Sequence, residues 1–206
     1  MGFASRPSPS RSSSRARGRD GRDGVPDQGT AWTTPPADPV DTARQICLHQ
    51  LEYAPRTRAE LAVVLRKKGV EDDVAEQVLS RFTEVGMIDD ALFAQMWVTS
   101  RHRGKGLAGR ALSQELRRKG VADGDVAEAV AMIDPDVELA TARALVDRKL
   151  RTTAGLATDA RVRRLAGMLA RKGYPAGLAF RVVREALAAE GEEAELGFDE
   201  LQVLDE

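Results

Sequence analysis

The sequence predicts an all-helical protein in which one three-helix unit is written three times in tandem, giving an elongated, curved array. Three observations carry that reading. Apolar residues recur three and four positions apart from Val40 to about Ala189, and no run alternates apolar with polar as a half-buried strand would. A short signature appears three times, as LRKKG at 65–69, LRRKG at 116–120 and LARKG at 169–173, spaced 51 and then 53 positions apart. Aromatic residues make up only 4%, while Ala, Leu, Arg, Glu and Val dominate, a composition that favours helix over strand.

Taken in order, residues 1–38 are dense in Ser, Arg, Gly, Pro and Asp, have almost nothing to bury, and are expected to be disordered. Helices are expected at about 40–53, 57–68, 71–85, 89–103, 106–119, 123–133, 135–152, 158–172 and 175–189. In the first, Cys47 falls at core spacing with Ile46 and Leu51 and reads as a buried thiol. Thr57 and Glu60 fit a capping box at the start of the second. Asp72 and Asp73 open the third, and Asp89 caps the fourth with Asp90 beside it, all placed where a helix dipole favours acids. Leu92, Phe93, Met96 and Trp97 form an apolar stripe along the fourth helix, which suits core packing. A second reading makes Trp97 a part-exposed anchor for a partner. Asp134 and Pro135 supply a cap and a first-turn proline for the seventh. The units are therefore 39–88, 89–134 and 135–189, followed by an acidic tail at 190–206.

The repeated signature has a local explanation. Each glycine follows one helix and precedes another, where positive φ closes a C-terminal turn, and the cations before it sit at the favourable end of the dipole. Each copy also has a leucine four residues before its own, at Leu61, Leu112 and Leu165. DVAE recurs at 73–76 and 125–128, with Leu178 at the equivalent apolar position of the third unit. Capping predicts side chains left in solvent, so Arg66, Lys67 and Lys68, then Arg117, Arg118 and Lys119, then Arg171 and Lys172, become a row of basic corners. A second cluster, Arg101, His102, Arg103, Lys105 and Arg110, surrounds the turn GKGLAG at 104–109, which reads as a flexible helix connection. That string matches a dinucleotide fingerprint but lacks the preceding strand and parallel sheet the fingerprint needs, and it is no Walker loop because glycine follows Lys105.

Charge and composition narrow the function. Net charge is −1, yet residues 41–189 hold 25 bases against 20 acids while residues 190–206 hold 8 acids and no base. The helical part suits a polyanion or an acidic protein face. With one cysteine there is neither an internal disulfide nor a cysteine metal cage, and His49 and His102 lie in different units without ligand spacing. No metal, cofactor or catalytic set is expected. No stretch approaches the roughly 18 to 20 apolar residues of a membrane span, so a cytoplasmic, monomeric, non-enzymatic protein is expected. The acidic end suits either a solvated tail or a mimic of DNA that folds over the basic corners.

The stretch GMIDDALFAQMWVTSRHRGKGLAGRALSQELRRKGV at 86–121 resembles the central segment of the RecX family of recombination regulators. It has an Ile-Asp-Asp entry, Phe-Ala one turn later, an Arg-rich helix end, a Gly-Lys-Gly turn and an ELRRKG close. The resemblance spans about 40–189 and is weaker in the third unit, where Ala170 replaces an arginine. It implies an elongated array of three-helix repeats that lies in the groove of the RecA filament on DNA and inhibits its ATPase, strand-exchange and coprotease activities, with direct DNA binding in some members. The residues themselves also allow a DNA-binding protein of helix-turn-helix type, or a helical scaffold for another protein.

Overall fold

The computed structural model describes residues 38–191, so the predicted disorder of the leader and the solvated or DNA-mimicking tail lie outside the described residues. Among the described residues there are nine α-helices and no strand: α1 (Pro39–Tyr53), α2 (Arg58–Lys67), α3 (Asp72–Glu84), α4 (Asp90–Lys105), α5 (Gly109–Arg118), α6 (Asp123–Ala131), α7 (Pro135–Leu150), α8 (Thr158–Arg171) and α9 (Ala176–Ala189). A 3-10 turn at Arg151–Thr153 follows α7.

The caps form as the residue types dictate. The Thr57 hydroxyl accepts from the Glu60 amide at 3.2 Å while the Thr57 amide donates back to the Glu60 carboxylate at 3.2 Å. Asp89 accepts from Leu92 N at 2.8 Å, and Asp134 from Asp136 N at 2.8 Å ahead of Pro135. At the second helix ends, Gly69, Gly120 and Gly173 take φ of 78°, 79° and 89°. In all three the amide after the glycine reaches back to the leucine carbonyl of the signature, from Val70, Val121 and Tyr174 at 3.1, 3.2 and 3.2 Å. This is the six-to-one bond of a glycine-terminated helix.

Each unit has its own hydrophobic centre. Cys47, Leu61, Leu65, Val78, Leu79 and Phe82 form the first, and Phe93, Val98, Leu112, Leu116 and Val126 the second. Leu145, Val146, Leu165, Leu169, Val182 and Leu187 form the third. The two signature leucines of every copy are at the heart of these cores, each 0–1% exposed. Full burial of such a side chain contributes about 1.5–3 kcal/mol, which explains why the leucines recur with the glycine. Cys47 is buried as expected, and burial pushes its thiol up to about 11. In native protein at pH 8 the thiol is expected to stay silent toward a disulfide reagent such as Ellman's and to react only on unfolding; rapid native labelling would contradict its burial.

Candidate functional site

The units meet through the corners that the sequence repeats. At the first junction the Thr57 hydroxyl donates to the Lys119 carbonyl at 2.6 Å, and Lys119 Nζ donates to Glu60 at 2.6 Å. Asp90, from the next unit's first helix, accepts from Arg58 N at 2.9 Å. Burial there raises the Asp90 carboxyl above its usual range, despite the opposing pull of the Arg58 amide. The second junction repeats the plan: Ala108 N donates to the Lys172 carbonyl at 2.9 Å, Lys172 Nζ donates to the Lys105 carbonyl at 2.6 Å, and Glu138 accepts from Gly109 N at 3.0 Å. In both cases the N-terminus of one unit's middle helix is capped by an acid and a lysine corner of the unit that follows.

Two sequence expectations change here. The corners do not all stand in solvent, because the second and third are joints. Asp90 stands in the first turn of its own helix as expected, and its carboxylate also caps α2. The turn at 104–109 is also tighter than a flexible connection. α4 runs on to Lys105, Gly106 closes it in the left-handed region at φ 61°, and Ala108 is fully buried. His102 helps fix this turn, its Nδ1 lying 2.8 Å from the Leu107 carbonyl and its Nε2 3.2 Å from the Thr141 hydroxyl.

The candidate cations fall into two groups. Arg66 pairs with Asp72 at 3.6 Å, Arg101 with Glu115 at 3.3 Å, Arg117 with Asp123 at 2.7 Å, and Lys119 with Glu60. Lys67, Lys68, Arg103, Lys105, Arg110, Arg118, Arg171 and Lys172 have no acidic partner among the described residues. Trp97 belongs with the first group. Its Nε1 donates to Glu115 at 2.8 Å, its ring stacks on Phe93 at 5.6 Å, and Arg101 and Lys119 each lie 4.3 Å from its centroid. The indole is thus enclosed between two cations, while Leu92 and Met96 of the same stripe face outward, 52% and 54% exposed. Replacing Lys119 by Met is expected to cost about 1–2 kcal/mol through the lost ion pair and cation–π contact. The matching change at Lys68 should stay within about 0.5 kcal/mol, both read by urea unfolding.

The unpaired cations concentrate at the second junction. Lys105 and Lys172 are bonded there, and burial together with the nearby Arg148 and Lys105 charges holds the Lys172 ammonium below its usual range. Arg110 and Arg171 border a cleft of about 580 Å³ between the second and third units, with Arg163 beside them and Gly167, Tyr174 and Phe180 among its lining. Arg148 and Arg163 were not singled out from the sequence, since neither lies in the repeated signature or the glycine turn. Like charges held this close favour a bound anion, whether phosphate or carboxylate. The third helices of the first two units argue otherwise for their own faces: α3 carries four acids and one arginine, and α6 three acids and no base.

The chain matches three family models, RecX first three-helix domain over residues 43–82, RecX second three-helix domain over 89–130 and RecX third three-helix domain over 136–183. It is 59% identical over 161 residues to the regulatory protein RecX of Streptomyces coelicolor, covering 78% of this chain and 86% of that one. It is 55% identical over 179 residues to the regulatory protein RecX of Thermobifida fusca, covering 87% and 95%. Among solved structures it is similar to a crystal structure of regulatory protein RecX, with TM-score 0.66, 21% identity and 72% and 73% coverage. It is similar also to RecX from Lactobacillus salivarius, with TM-score 0.67, 17% identity and 73% and 97% coverage. These two likenesses bear on the fold.

Proposed function

The chain belongs to the RecX family, and on that premise we propose that this regulatory protein binds the RecA filament on DNA and restrains its ATPase, strand-exchange and coprotease activities, thereby tempering DNA repair and the SOS response. It acts as a monomer in the cytoplasm and performs no catalysis of its own. The observation that carries this reading is the second junction, where Lys105, Arg110, Arg148, Arg171 and Lys172 gather without an acidic partner among the described residues. Such a patch meets acidic recombinase surface or the phosphates of the enclosed DNA. Units in tandem engage neighbouring protomers together, so that modest contacts add through effective concentration.

The helix-turn-helix alternative fits less well. That motif sends the helix after the turn into a major groove lined by phosphates, and α3 and α6 would bring a strongly negative face to it. The turns before α6 and α9 are moreover occupied in joining units.

ATP hydrolysis by RecA on single-stranded DNA, followed while the protein is titrated in, tests the proposal. Hydrolysis should fall and remain low when competitor duplex DNA is added. Unaltered hydrolysis at saturating protein would refute filament regulation, and inhibition erased by competitor or by modest salt would point to DNA as the target.

A further inference from the structure

The cleft beside the second junction has a chemistry more specific than positive charge. Arg110 and Arg171 at its border have no ion pair among the described residues, and the Arg171 guanidinium lies over Gly167, where a side chain would meet it at 3.5 Å. Between these cations the lining is apolar and aromatic, with Phe180 half-buried and Tyr174 turned to donate its hydroxyl to the Gly106 carbonyl at 3.2 Å. A simple anion would satisfy the arginines and leave the lining unused. A fitting occupant is an acidic segment with interleaved large apolar side chains.

The chain contains such a segment. Residues 192–206, EEAELGFDELQVLDE, hold seven acids and no base, and set Leu196, Phe198, Leu201, Val203 and Leu204 among them. The segment also has the reach. Phe180 is nine residues before the end of α9, about 14 Å back along its axis at 1.5 Å per residue. Phe198 is nine residues beyond that end, a span of up to about 30 Å when extended. We propose that the cleft is a docking site for the chain's own segment 192–206, with carboxylates on Arg110 and Arg171 and Phe198 against Phe180. The docking stands independently of the recombinase reading, since it needs no second molecule.

The test uses the full chain with no recombinase or DNA present. A nitroxide is attached at Gln202→Cys, Cys47 being buried and unreactive, and amide signals are followed by NMR. Signals of Gly167, Ala170 and Phe180 should broaden at low salt. The broadening should be lost in Arg110→Glu with Arg171→Glu, and lost again in Phe198→Ser, which alters only the tail. Sharp cleft signals in the labelled parent would overturn the proposal. So would equal broadening at Lys67 and Lys68, which would signify loose attraction to any cation, or broadening that survives either set of substitutions.

Discussion

Gly173→Ala is expected to destabilise the chain by about 3 kcal/mol or more, with Gly69→Ala, at the matching corner of the first unit, losing only about 1–2 kcal/mol. Both glycines are left-handed, at φ 89° and 78°, so both variants bear the same conformational cost. They differ in what the new carbon meets. At Gly173 it would fall on the backbone nitrogen and Cβ of Ala111, which the start of α5 holds in place. At Gly69 nothing lies within 4 Å. Gly120→Ala should lose about as much as Gly173→Ala, since its obstacle, the Ala59 Cβ, is fixed to the backbone of α2 and cannot rotate away. Urea unfolding of the three variants reads the series, and equal losses at 69 and 173 would show that the second junction is looser than described.

The second large effect concerns activity. Changing Lys105, Arg110, Arg171 and Lys172 together to Ala should raise the protein concentration needed for half-inhibition of RecA hydrolysis by about 30-fold. That figure takes four charge contacts at about 0.5 kcal/mol each, with 1.4 kcal/mol per factor of ten. Removing Arg66 and Arg117, whose charges already go to Asp72 and Asp123, should change it by less than about threefold. The Lys172 change also removes a bond to the Lys105 carbonyl, so circular dichroism and unfolding must accompany the assay. If the Arg110 and Arg171 pair alone left inhibition untouched in a stable protein, the junction would not be the contact surface.

Helix positions, caps and the threefold repeat were legible in the sequence because each depends on residues within one turn of each other. Thr57 with Glu60, Asp134 with Pro135, and a glycine four residues after its leucine are local signals. What the corners join was not legible. Lys119 meets Thr57, 62 positions earlier in the chain, and Lys172 meets Lys105, 67 positions earlier. No periodicity encodes such pairs. The basic cluster was read by counting charges along the chain, which cannot separate Arg101, spent on Glu115 and Trp97, from Arg110, which faces the cleft. Arg148 and Arg163 were overlooked for the same reason, since only the folding of α7 and α8 against the second unit brings them to the patch.

The three separate hydrophobic centres have a mechanical consequence. Neighbouring units touch mainly through a lysine corner, a capping acid and a close-set glycine, so loosening of one interior reaches the next only through these two joints, of which the second also seats Gly106 and Ala108 on the third interior beside Leu145.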